Sequence, residues 1–324
     1  MVHSAMLTLI AAAISIVYCL GFSLTFHALA FVTFAGVCFI GLPHGGLDYQ
    51  LGTTWLSRQR HPLGNSKYLL SFFFLVAYLA VSGMVIVGWY AIPLFTVVAF
   101  FGLAGWHFGL EEEPTSAVFG GLDQCGVAAR GSMVIWCTAL FRPAEVSEIL
   151  NQVLPTDLVT GSLLVSLVRA CVPILVLLIT WDLIRVARHT SKRDFITHIT
   201  RLSVFAVMFG VCPVLLSFAV YFCGWHSIRG FAHLRAQVGG SIQDLIRRLA
   251  PTSVAAILLF AGGFLFYQSQ LASSTAAIRT LFIGLSAVAI PHLLLHVVMD
   301  RSALKQGCDL NLIEPSPVQE AAAC

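Results

Sequence analysis

Unbroken apolar blocks of about 20 residues recur along this 324-residue chain, and they constrain its fold more than any other feature. A helix needs roughly 20 mostly apolar residues to cross the hydrocarbon core of a bilayer. Hydrophobic residues make up 58% of the chain and charged residues only 10%, where a soluble domain carries about 25% charged residues. A water-soluble enzyme built round one core is thereby excluded. The expected fold class is all-α, a polytopic membrane helical bundle with about eight transmembrane helices. The candidate spans are residues 5–21, 24–42, 68–90, 91–108, 162–184, 202–222, 252–269 and 277–299.

The run GSMVIWCTALF at 131–141 is too short to cross and leads into Arg142, Pro143, Glu145 and Glu148, so it is expected to be interfacial or re-entrant. Eight crossings place both termini on one face. Of the 18 Lys and Arg residues, only Arg185, Arg188, Lys192, Arg193, Arg201 and Arg279 fall on the other face. Positive charge gathers on the cytoplasmic side, so both termini are expected in the cytoplasm of a multi-pass cell-membrane protein. The 185–201 cluster opposes this assignment, and an extra crossing at 131–154 would accommodate it. Residues 1–300 read as a single integral membrane domain, and the polar 301–324, with its EPSPVQE, as a disordered tail. A formal net charge of +3 is too small and dispersed for a nucleic-acid partner. The nine cysteines form no CxxC pair, so neither a disulfide framework nor a zinc knuckle is expected. The first residues lack Lys and Arg, so no removable signal peptide is expected.

In so apolar a chain, a polar group in hydrocarbon needs a partner or a function. Eleven histidines are present. His3, His61, His189 and His198 lie in or beside polar segments and are expected to face solvent, and His27 to pack near a span end. The others sit where spans end: His44 in GLPHGGLDYQ, His107 in GWHFGLEEE, His226 in FCGWHSIRGFAHLR, and His292 and His296 in IPHLLLHVVMD. In the eight-span arrangement all of these lie toward one membrane face. Each alone could cap a helix or join two helices. Four in separate segments, three flanked by glycine or tryptophan, favour a metal site, because neutral imidazole binds zinc, iron and copper.

Gly41, Gly45 and Gly46 surround His44, and Gly102, Gly105 and Gly109 surround His107, which allows the close approach that distant ligands require. His292 and His296 share one helical face, so either could bind while the other supports it. Asp48 and Asp300 could orient ligand imidazoles. Glu111–Glu113 is a like-charge run expected to be solvated. The chain has no GxSxG elbow, P-loop or dinucleotide fingerprint. A histidine-rich, carboxylate-poor site suits redox or O₂ chemistry on ferrous iron better than hydrolysis. An apolar cavity opening to the bilayer would suit a lipid-like substrate.

GLPHGGLDYQ, GWHFG, FCGWHSIRG and IPHLLLHVVMD, in that order and spacing, resemble the Brp/Blh family of membrane-bound β-carotene 15,15'-dioxygenases, and RGSMVIWCTALFRPAEV is similar to that family's middle region. The resemblance covers roughly residues 20–300. It implies cleavage of the central double bond of β-carotene with O₂ into two retinal molecules. It also implies non-haem Fe(2+) held by histidines, and retinal supplied to a rhodopsin. His44, His107 and His226 match family histidines and would be the catalytic, metal-holding residues. The family has a further histidine four residues after the third, where this chain has Gly230. Either His292 or His233 replaces that ligand, water completes a three-histidine site, or the activity is lost or changed. The resemblance also implies an apolar tunnel for the polyene, which Trp106, Phe108, Trp225, Phe231 and Phe222 could line. Two other classes stay open: a membrane desaturase or hydroxylase, for which the chain offers one HxxxH at His292/His296, and a non-catalytic carotenoid-binding or transport bundle.

Overall fold

The computed structural model describes residues 2–22, 24–58, 66–112, 124–154, 161–238 and 241–306, and every regular element among them is helical. Apolar side chains cover much of the outer surface: Leu177, Leu258 and Leu265 are each more than 60% exposed. That surface is compatible with lipid and not with water. Among the described residues, six helices are long and apolar enough to cross a membrane, and a seventh crossing results if a bent pair counts as one.

The chain opens with α1 (Val2–Cys19), which includes a shorter apolar helix, and α2 (Phe26–Gly36). After α2 come a π-helical turn (Val37–Gly41), a 3₁₀ turn (Leu42–Gly45) and α3 (Asp48–Arg58), so one long span carries the expected 24–42 segment onward to Ser57. Next are α4 (Lys67–Ala91) and α5 (Pro93–Glu111), separated at Ile92 because Pro93 starts a new helix better than it continues one.

The 131–141 run, expected to be interfacial or re-entrant, is part of an 18-residue helix, α6 (Gln124–Phe141), with ten of its residues buried, and α6 is not among the helices long and apolar enough to cross. Glycines seat it against α5. A Cβ on Gly109 would lie 1.9 Å from the Val127 carbonyl oxygen, and one on Gly131 would lie 1.6 Å from that of Gly105. The backbones of α5 and α6 thus touch directly, and mean hydropathy does not register this close approach.

α7 (Pro143–Val153) follows, and then α8 (Gly161–Ala170) and α9 (Val172–His189) meet at a 49° bend. Pro173 sits at this bend, in the middle of the expected 162–184 span. The expected 202–222 span is also broken. α10 (Lys192–Val211) stops before Pro213, and Cys212 is extended, as a residue before proline prefers to be. A new helix then begins: α11 (Val214–Ala219), a π-helical stretch (Val220–Ser227) and α12 (Ile228–Val238). α13 (Ile242–Gln268) and α14 (Ser273–Gln306) complete the bundle, with Pro251 and Pro291 inside them. α14 extends past the expected tail boundary at 300, and 307–324 lie outside the described residues.

The break at Pro213 frees backbone groups that a bilayer cannot satisfy. Arg142 Nη1 donates to the Val211 carbonyl at 3.0 Å, and Glu145 accepts from the Val214 N–H at 2.9 Å, while the two side chains pair with each other. Glu145→Ala removes that cap, and a loss of about 1–2 kcal/mol is expected. Thermal unfolding in detergent checks this, and an unchanged midpoint would count against a capping role.

Candidate metal centre

Four histidines from four elements meet inside the bundle. His44 arrives on the 3₁₀ turn after α2, which Pro43 and the flanking glycines keep tight. Its Nδ1 forms a short hydrogen bond to the Gly41 carbonyl. A carbonyl only accepts, so Nδ1 carries the proton and Nε2 keeps the lone pair that could bind a metal. His107 projects from the last turns of α5. His226 lies in the π-helical stretch, 3% exposed. Its ring stacks on Phe222 at 5.4 Å and meets the edge of Phe108 at 4.8 Å. Ser227 Oγ reaches back to the Phe222 carbonyl at 2.8 Å, satisfying an acceptor that the widened turn displaces.

The His226 ring lies 5.0 Å from that of His44 and 5.1 Å from that of His107. The ligand nitrogens of His44, His107 and His226 all fall within 4.8 Å of one another. Nitrogens sharing one metal at about 2.1 Å lie roughly 3–4 Å apart, so the cluster is capable of coordinating a metal ion. The donor set is neutral imidazole in an apolar surround, which suits a borderline transition metal and not Mg²⁺ or Ca²⁺.

His292 completes the ring of imidazoles, 5.6 Å from both His44 and His107. Its Nδ1 donates to both oxygens of Asp48, at 2.8 and 2.9 Å. The Tyr78 hydroxyl donates to the same carboxylate at 3.0 Å. Asp48, His292 and His296 form a second group whose ligand atoms lie within 4.8 Å of one another. A carboxylate on Nδ1 turns Nε2 of His292 outward and raises its basicity, as in carboxylate–histidine–metal arrangements. The Asp48 expectation thus finds its partner, while the side chains of Asp300 and His233 lie outside the described residues. Gly230 faces His44: a Cβ there would stand 3.4 Å from His44 Cδ2, in ordinary contact.

His44, His107, His226 and His292 line a cavity of about 440 Å³. Trp106, Phe108 and Phe222 line it, along with Phe101, Trp136 and Phe218. Two residues expected on its wall are elsewhere. Phe231 packs on Leu47, Leu249 and Met299 in a separate apolar cluster. Trp225 is 2% exposed and lies beneath the guanidinium groups of Arg201 and Arg229, at 5.6 and 5.1 Å. Its indole N–H donates to Glu112.

Glu112 is therefore buried, not solvated as expected. It pairs with Arg201 at 3.0 Å and Arg229 at 3.3 Å, which ties the end of α5 to the segment that carries His226. Glu113 and the side chain of Glu111 lie outside the described residues. His198 was expected to face solvent, yet it is 2% exposed with Nε2 on Asp182 at 2.8 Å. Asp182 also holds Arg130 at 2.5 Å and Arg185 at 3.5 Å. Asp182 carried its own sequence signal, a lone carboxylate inside LLITWDLIRV. Tyr78 had none.

Two comparisons with known proteins bear on this site. The family model described as Beta-carotene 15,15'-dioxygenase matches residues 35–300. The Beta-carotene 15,15'-dioxygenase of uncultured marine bacterium 66A03 is 28% identical to the chain over 263 residues, covering 80% of this chain and 90% of that protein. No solved structure matches the chain.

Proposed function

The chain belongs to the beta-carotene 15,15'-dioxygenase family, and from that premise we propose that it is a membrane enzyme of the Brp/Blh type that cleaves β-carotene at its central double bond into two retinal molecules. The observation that carries the reading is the position of the three imidazoles, within ligating distance of one another in the wall of an apolar cavity. The 15,15' bond breaks and each carbon takes one atom of O₂, so two aldehydes form with no outside reductant. Ferrous iron, when bound, supplies the binding and activation of O₂ that this chemistry requires.

The protein's own part is placement. His44, His107 and His226 would hold the iron, with His292 as a fourth ligand or, if water fills that position, as a hydrogen-bond partner. Asp48 and Tyr78 fix His292 from behind, and the Gly41 carbonyl fixes His44. Phe108 and Phe222 clamp His226 against rotation. The cavity walls bind the polyene along its length and exclude water, so that a central double bond and not an end faces the histidines. Residues 1–300 form the catalytic unit in this reading, with eight crossings and both termini in the cytoplasm. Retinal released into the same membrane would be available to a rhodopsin.

Anaerobic purification in detergent with metal analysis, followed by β-carotene and O₂, tests the proposal. One iron per chain and retinal as the sole product are expected. Apocarotenals of unequal length would overturn central cleavage. Two irons per chain would make Asp48, His292 and His296 a metal site of their own and favour the desaturase class. No metal and no turnover would leave a carotenoid-binding bundle.

A further inference from the structure

We propose that the substrate enters the cavity sideways from the bilayer, past Val98 and Gly102 of α5, and that position 102 is glycine to keep this passage open. The inference rests on the reading of the site as acting on a long apolar polyene. Nearly all of the cavity lining is buried or half-buried. Val98, at 58% exposure, and Gly102 are the two exposed residues among the lining. They are four residues apart, so they lie one above the other on one face of α5.

The glycines of α5 divide into two kinds. A Cβ on Gly109 would strike the backbone of α6, and one on Gly105 would touch Gly131 and Ile135. Those two are small because the helices touch. A Cβ on Gly102 would meet nothing within 4 Å. Helix packing therefore does not require glycine there, although glycine is less favourable than alanine inside a helix. A bulky side chain at 102 would instead occupy open space at the cavity lining. Ser132 and Ile135 of α6 line the cavity as well and are half-buried. Around the opening α5 exposes Leu94 at 41% and Phe95 at 68%. An opening bordered by such residues faces hydrocarbon, so it admits a slender apolar molecule already dissolved in the bilayer and offers nothing to a water-soluble one.

The test follows entry without turnover. Trp106 and Trp136 line the cavity, so a polyene that reaches it quenches their fluorescence. Wild type, Gly102→Phe, Val98→Phe and Leu258→Phe are mixed with β-carotene in lipid–detergent micelles under argon, and quenching is followed in time. Leu258 is 66% exposed on α13 and does not line the cavity, so it controls for added aromatic surface. Quenching slowed about tenfold or more by Gly102→Phe, with final amplitude and iron content unchanged and Leu258→Phe as wild type, is expected. Entry at the wild-type rate in both Gly102→Phe and Val98→Phe would overturn the proposal. So would lost amplitude at an unchanged rate, which would make position 102 part of the bound-substrate wall. Wild-type quenching without retinal formation in air would sink the cleavage reading and leave the entry route standing.

Discussion

Alanine at His44, His107 or His226 is expected to empty the metal centre, with iron falling from one per chain to near zero and retinal formation falling with it. Each residue supplies one nitrogen to a cluster spanning less than 4.8 Å. Two imidazoles with water in the remaining positions hold a divalent ion far more weakly than three. The three rings come from the turn after α2, from α5 and from the π-helical stretch, so no neighbouring side chain on the same element can take over. His292→Ala separates the two roles left open for that residue. Loss of iron makes it a ligand, and retained iron with slower cleavage makes it a hydrogen-bond partner. Metal analysis of the purified variants is the decisive readout, because activity alone would also fall in a misfolded chain. Full iron occupancy in one of the first three variants would remove that residue from the ligand set.

Asp182→Ala is expected to have the second large effect, on stability and not on chemistry. The carboxylate is 1% exposed and joins three helices through Arg130 of α6, Arg185 of α9 and His198 of α10. Removing it takes a buried carboxylate partner from two guanidinium groups and an imidazole, and breaking a buried pair costs roughly 3–5 kcal/mol. Such a variant should accumulate poorly in membranes and unfold at lower temperature, while the fraction that folds keeps its iron. A midpoint within about 1 kcal/mol of wild type would show that water reaches this group.

The class of fold was readable because lipid imposes one rule on every span, and runs of apolar residues state it directly. What the runs did not show was where a helix breaks inside them. Pro213 and Pro173 cut expected spans because hydropathy averages over a window and a proline acts at a single bond. The four histidine segments were readable because histidine between glycines in an apolar stretch is costly without a purpose. Their distances were not, since they depend on how four separate elements pack against one another. Glu112 and His198 were misread for the same reason. A charged or titratable residue in polar company looks solvated until its partner, 89 or 16 residues away, is brought beside it. Trp225, expected on the cavity wall, directly precedes His226, and neighbours on a helix point in different directions, so the indole faces the arginines instead.

The π-helical stretches before His44 and around His226 carry a consequence for how the chain can change. A π turn accommodates one residue more than an α turn. Deleting one residue between Val220 and Gly224 would let the stretch relax to α geometry with the helix beyond it close to its present register. His226, inside the stretch, would lose the displaced position that brings it to His44 and His107, while α12 would keep its side toward α13. Substitution of one apolar residue by another of similar size leaves that count untouched. These segments can therefore drift in composition but not in length, and their spacing is inherited as a unit.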